Sequence, residues 1–191
     1  VWGTRDAVSP RTAMVCDDAP VARISSLLEP AGRAEGRPER LAENSGIAFQ
    51  GCIVLGKGFV LEPEEAREWI AEDPRNAEVL FPYLNGEDLN SRPDCSASRW
   101  VIDFGLREFR GIETYRLPFS RVVERVKPQR EPVKVDYRRK YWWRFADWPP
   151  SMRKAIAELD DLMAITRHTK TLMPCRVSSH QVLSDALVAV A

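Results

Sequence analysis

Proline punctuates every helical pattern in this chain, at its start or its end, and the helical patterns do not alternate with strands. "EPEEAREWIAED" (62–73) is the clearest helix start. Pro63 suits a first turn, where its missing N–H loses no helical partner, and Glu64 and Glu65 suit the positive end of the dipole. Ala66, Trp69 and Ile70 fall on one face, Pro74 ends the pattern, and "RNAEVL" (75–80) adds a further turn. In "PFSRVVERVK" (118–127), Phe119, Val122, Val123 and Val126 form an apolar stripe. Arg121, Glu124 and Arg125 are expected to face out, and Pro128 and Pro132 break the helix. In "PPSMRKAIAELDD" (149–161), Met152, Ala155, Ile156 and Leu159 turn inward.

Strand signals lie elsewhere. "IAFQGCIVLGKGFVL" (47–61) reads as two short strands turned at Gly56 and Gly58. "RWVIDF" (99–104) alternates Trp100, Ile102 and Phe104. From Leu162 onward come "LMAIT", "TLMPCRV", "HQVLS" and "ALVAV". The expected class is α+β: mixed or antiparallel short strands with three or so amphipathic helices. "FPYLNGEDLNSRPD" (81–94) fits neither pattern, being too broken for a helix and too polar for a buried strand. It reads as a structural corner, with Phe81, Tyr83 and Leu84 as anchors, Asn85-Gly86 as a tight turn and Pro93 stiffening the exit. The other reading gives it base contacts, Asn85 or Asn90 to adenine or Glu87 to cytosine.

The chain has 191 residues and a formal net charge of zero, so bulk charge names no partner. No apolar run approaches the ~20 residues that cross a bilayer. Residues 1–20 lack a basic start followed by an apolar core. No membrane partner and a cytoplasmic location are therefore expected. Cys16, Cys52, Cys95 and Cys175 stand far apart and are expected to be reduced, packed thiols. The start at Val1 and the apolar end "DALVAVA" suggest a fragment of a larger protein. Residues 29–44 mix Pro, Gly and charge as a connector does.

Charge distribution says more. From Arg121 to Arg144, nine basic residues face only Glu124, Glu131 and Asp136, with Tyr137, Tyr141, Trp142 and Trp143 interleaved. Residues 62–94 carry ten acids against three arginines. A phosphate backbone calls for such basic clustering, and aromatics can stack on bases. Equally, the strip could pair with the acidic half, with Trp142 and Trp143 in the core.

Catalytic patterns fail. His168, Cys175 and His180 match no common zinc spacing. Ser179 beside His180 is adjacency, not a triad. "GKG" (56–58) lacks the remainder of a dinucleotide loop or a P-loop. There is no Asp-x-Lys or Glu-x-Lys pair of the nuclease kind. No catalytic residue and no metal are expected in this chain.

Several motifs carry a resemblance. Residues 49–104, "VERVKPQR" (123–130), "YWWRFADWPPSMRKAIAEL" (141–159) and "AITRHTK" (164–170) resemble a segment of large adenine-specific DNA methyltransferases, closest to the MmeI-like type IIL restriction-modification enzymes. The resemblance implies a linker leaving a methyltransferase domain over residues 1–44. Over 45–191 it implies a target recognition domain, incomplete at its C-terminal end. Double-stranded DNA is the implied partner, together with a methyltransferase domain of the same polypeptide. Lys127, Arg130, Arg138, Arg139, Lys140 and Arg144 would then hold phosphates. Arg167, His168, Thr169 and Lys170 would read bases. Similar chains often carry Ser or Ala-Lys after the arginine matching Arg167; "RHTK" here implies a different target. The family's Asn/Asp-Pro-Pro-Tyr/Phe motif and glycine-rich cofactor loop do not occur. S-adenosylmethionine is thus implied for the parent protein and no cofactor for this chain. A protein-interaction module docking a neighbouring domain is the rival reading, and a free-standing hydrolase a third.

Overall fold

The computed structural model describes residues 9, 12–22, 24, 30, 42–170 and 172–191. Most of the expected connector at 29–44 lies outside them. The chain divides into two units, Val1–Leu41 and Ala42–Ala191. In the first, β1 (Met14–Cys16) and β2 (Ala19–Val21) pair antiparallel. Asp17 and Asp18 turn the hairpin, both in the left-handed region at φ 51° and 61°, where a short polar side chain is tolerated better than most.

The second unit is α+β and holds two four-stranded sheets. The first sheet has the order β3 (Ala48–Gln50), β10 (Leu187–Val190), β7 (Asp161–Thr166), β8 (Cys175–Ser178), antiparallel throughout. The second has the order β4 (Val60–Leu61), β6 (Arg99–Ile102), β5 (Leu80–Leu84), β9 (Val182–Leu183). In it β9 runs parallel to β5 and the other pairs are antiparallel. The expected two-strand unit at 47–61 is corrected here. Its strands belong to different sheets, because the chain leaves β3, passes a one-turn 3-10 helix at Lys57–Phe59 and enters β4 in the other sheet.

A second crossing lies beside the first, where β9 leads into β10. Gly51 N donates to Leu187 O, Cys52 N to Leu183 O, and Asp185 N to Cys52 O. Neither crossing has space to spare at Gly51. A Cβ there would meet the Ser184 and Leu183 carbonyl oxygens, the second at 2.6 Å.

The three amphipathic helices are present. α1 (Pro63–Glu72) has Pro63 in its first turn and buries Ala66, with Trp69 and Ile70 packed against the core. A 3-10 turn (Pro74–Glu78) follows it, capped by the Asp73 side chain accepting from Arg75 N at 3.1 Å. α2 (Gly86–Ser91) and α3 (Phe109–Ile112) are short. α4 (Arg116–Arg125) buries Val122, and Val126 follows at 0% exposure. Pro128 does not end the helical region; it opens α5 (Lys127–Arg130), since the first turn needs no N–H from it. α6 (Asp136–Lys140) has no buried residue. α7 (Pro150–Ile156) is shorter than expected and buries Met152 and Ile156.

Phe59, Leu61, Leu84, Ile102, Phe104, Met152, Leu183 and Leu187 are the bulk of the core, and Phe59 meets Phe145 edge-on at 5.4 Å. The alternation expected over 99–104 is absent. Val101, Ile102, Asp103 and Phe104 are all buried, because the strand is covered on both faces.

Arg121 also departs from expectation. Its side chain is 13% exposed and reaches Glu65 at 2.6 Å and the Val60 carbonyl at 3.0 Å. A long cation on a helix flank can bury its stem when acceptors wait at its tip. The four cysteines are free thiols. Among the described residues no helix is long and apolar enough to cross a membrane.

Candidate nucleic-acid interface

The stretch 81–94 is both strand and helix, which corrects the reading of it as neither. Its first half is β5. Its second half is α2, and Asn85 is the residue before that helix rather than part of a tight turn. Asn85 Oδ1 accepts from Glu87 N at 2.8 Å and Asp88 N at 3.0 Å. Asp88, 3% exposed, answers from the third helical position. Its Oδ2 accepts from Asn85 N, from Asn85 Nδ2 at 2.9 Å and from Ser98 N at 3.2 Å. This reciprocal cap compensates for a sequence of poor helix formers. It uses both ends of the Asn85 amide, so Asn85 is not free to read a base.

α2 lies against β7. A Cβ on Gly86 would stand 3.2 Å from Thr166 Cγ2 and 3.3 Å from Ala186 Cβ, so glycine sets the approach. That places the end of α2 beside the connection from β7 to β8, which begins at Arg167. Arg167 N donates to Ala186 O at 2.8 Å and its Nη1 to Asp185 O at 2.9 Å. Arg167, His168, Thr169 and Lys170 are all exposed. A cavity of about 520 Å³ opens there, lined by His168, Thr169 and Lys170 from the connection, Leu89 and Asn90 from α2, and Thr166 and Met173. Leu172 and Met173 are 79% and 59% exposed. The structure thus brings three of the four expected base-reading residues to one mouth. It adds Leu89, which no sequence signal marked, and Asn90, which the alternative reading of 81–94 names as an adenine contact.

The expected phosphate contacts divide into two groups. Arg130 is 2% exposed and donates to the carbonyls of Val54 and Leu55, the second at 2.7 Å. Burial, with Arg138 nearby, lowers its pKa below the ordinary value. Arg144 is 8% exposed, lies 4.4 Å from the Tyr141 ring and donates to Leu106 O at 2.8 Å and Arg107 O at 3.0 Å. Both guanidiniums hold loops of the molecule's own backbone. Lys127, Arg139 and Lys140 are exposed and Arg138 half-buried. Lys127 Nζ stands 5.6 Å over Trp142, Lys140 Nζ 5.3 Å over Tyr141, and Arg139 pairs with Asp136 at 2.5 Å. Trp143 is buried and Trp142 partly so, and they pack with Phe109 and Tyr141 as a ring cluster beneath this segment. Tyr137 is the exception among the interleaved aromatics, at 43% exposure.

Among the described residues, no group of three or more His, Cys, Asp or Glu could hold a metal ion. His180 is exposed beside Asp160 at 3.8 Å, away from His168 and its cavity.

This two-sheet α+β arrangement is shared with part of a solved restriction-modification enzyme. It matches part of the type IIL restriction-modification enzyme MmeI, whose structure was solved in complex with DNA, with a TM-score of 0.61 and 14% sequence identity. The match covers 90% of this chain and 23% of that one, so the chain spans about a quarter of the enzyme it resembles. No family model and no curated protein matches the sequence.

Proposed function

We propose that this chain is the target recognition part of an adenine-specific DNA methyltransferase of a restriction-modification system. The observation that carries the reading is the shared fold with an enzyme solved on DNA. In this reading Lys127, Arg138, Arg139 and Lys140 hold phosphates and fix the register. Arg130 and Arg144 keep the segment that carries them in shape. Arg167, His168, Thr169 and Lys170 reach base edges, where Arg and Lys suit guanine and short polar groups suit mixed edges. A catalytic domain elsewhere in the polypeptide then flips an adenine out of the stack and methylates it.

S-adenosylmethionine belongs to that other domain. Among the described residues lining the cavity at the β7–β8 connection there is no carboxylate for ribose hydroxyls, and Lys170 would repel a sulfonium. The residues here do not fit the cofactor, and methyl transfer is not assigned to them.

The test is a titration of the chain with duplex DNA at several salt concentrations. Phosphate contacts release counterions, so log K should fall steeply with log salt, by about 0.9 for each phosphate neutralised. Absence of duplex binding at low salt would overturn the reading and favour a module that docks a neighbouring protein domain.

A further inference from the structure

Three asparagines of this region have had their amides placed, and they differ in what is left over. Asn76 is buried and donates to Trp69 O at 2.8 Å. The Asn85 amide is consumed by the cap of α2. Asn90 is exposed, and its amide makes one long contact, Nδ2 to His168 O at 3.5 Å, near the limit at which a hydrogen bond counts. A bond that long is easily exchanged for a better acceptor.

The position of Asn90 is nevertheless fixed. Gly86 and Asn90 are four residues apart and share a face of α2. At Gly86 a Cβ would come within 3.2 Å of Thr166 Cγ2, so that face of α2 lies close to β7, and Asn90 is carried one turn further along it, to the mouth of the cavity. Leu89 beside it is 5% exposed and prevents the helix from rolling. The cap through Asn85 and Asp88 prevents it from unwinding. A primary amide on a rigid support, open to solvent and flanked by His168 and Lys170, has the donor and acceptor pattern that pairs with N6 and N7 of adenine in the major groove.

We infer that Asn90 is a specificity-determining residue that reads an A·T pair of duplex DNA beside the contacts of the β7–β8 connection. The inference rests on the DNA-reading function proposed above and adds to it a side chain from a different element. Two consequences separate Asn90 from the cations. It carries no charge, so its loss leaves the salt slope unchanged. It reads one base pair, so its loss acts at one position of the target.

The experiment enriches a randomised duplex library on the whole chain and sequences the bound fraction for wild type, Asn90→Ala and Asn90→Gln. Wild type should select a motif that includes an A·T position. Asn90→Ala should keep the remaining positions and lose preference at that one by roughly 5- to 150-fold. Asn90→Gln, which keeps the amide on a longer stem, should retain part of it and serves as the reading should the alanine variant fail to fold. An Asn90→Ala motif identical to wild type at every position would overturn the inference and leave the DNA-reading function standing. A wild-type chain that enriches no motif and binds no duplex at low salt would overturn both.

Discussion

Arg153 donates to Asp103 Oδ2 at 2.6 Å, and this single carboxylate ties three parts of the second unit together. Asp103 follows β6 and is 5% exposed. Its Oδ1 accepts from Gly105 N at 2.8 Å, and its Oδ2 also accepts from Trp148 Nε1 at 3.2 Å. Arg153 comes from α7, stacks over Trp148 at 5.4 Å and reaches Cys52 Sγ at 3.7 Å. A charge so enclosed is tolerated because both carboxylate oxygens accept hydrogen bonds and a guanidinium faces it.

Removing one partner should therefore cost more than a surface ion pair would. Asp103→Ala leaves the Arg153 guanidinium, Trp148 N–H and Gly105 N–H without their acceptor. It should lower unfolding free energy by about 3–5 kcal/mol. Denaturant titration measures this, and a loss below about 1 kcal/mol would show that the pair is not the bracket described.

Cys52 supplies a pH dependence. Burial pushes its thiol from an ordinary value of 9.0 up to about 11, and the Arg153 charge offsets that only in part. A raised folded pKa favours the protonated form. The stability it contributes is complete below pH 9.0 and is lost as pH rises toward about 11. Cys52→Ala should abolish a fall of roughly 2–3 kcal/mol between those limits. Equal pH profiles for the two proteins would contradict the assignment.

The cap of α2 can be probed without touching the cavity. Asn85→Ala removes the acceptor for two helix N–H groups and should cost about 1 kcal/mol. Amide exchange of residues 86–91 should quicken accordingly. Unchanged protection there would mean that packing on β7, and not the cap, holds the helix.

Two glycines give opposite outcomes. A methyl at Gly51 collides with backbone of the β9–β10 crossing, which cannot move aside, so Gly51→Ala should cost about 3 kcal/mol or more. Gly111 lies in α3 with nothing within 4 Å of its would-be Cβ. Gly111→Ala should stabilise by about 0.4–1 kcal/mol. Thermal melts of the pair, compared directly, decide both.

The cations also separate by role. Arg139→Ala and Lys140→Ala should leave folding intact, weaken duplex binding alike for all sequences and each reduce the salt slope by about 1. Arg130→Ala should instead act on stability, by about 1–3 kcal/mol, because the Val54 and Leu55 carbonyls lose a buried donor. If Arg130→Ala melted like wild type and weakened only DNA binding, the two groups would have been wrongly divided.

Much of this fold is legible in the sequence because proline and helix periodicity are local signals. α1, α4 and α7 follow from them, and the short strands after Leu162 from their apolar, β-branched runs. Sheet membership does not, since nothing in "IAFQGCIVLGKGFVL" says that its two strands part company. The 81–94 segment misleads for two reasons. Pro82 lies in β5 opposite Trp100, just ahead of the residues where β9 joins, a place that tolerates a missing N–H. α2 is six residues long, too short to show a period, and depends on its cap.

Charge counting identified a basic segment but could not tell exposed Lys140 from buried Arg130, because the difference lies in which carbonyls the fold brings near. No local pattern marks the residues of the β7–β8 connection; the role expected of them rests on the resemblance. Asn90 is one of two asparagines that the sequence offers for a base contact, and its place beside that connection is a tertiary fact, set by how closely Gly86 lets one element approach another.

The twin crossings at Gly51 and Ser184 lock the sheets together from within, and the hairpin of β7 and β8 springs from one of those sheets. Arg167 ties into the joint, through Ala186 O and Asp185 O, while His168, Thr169 and Lys170 contribute side chains to solvent and a cavity. Such a division of labour makes the hairpin a natural cassette. On the proposed DNA-reading function, exchanging His168, Thr169 and Lys170, singly or as a block, should change binding preference while the chassis that presents them keeps its shape.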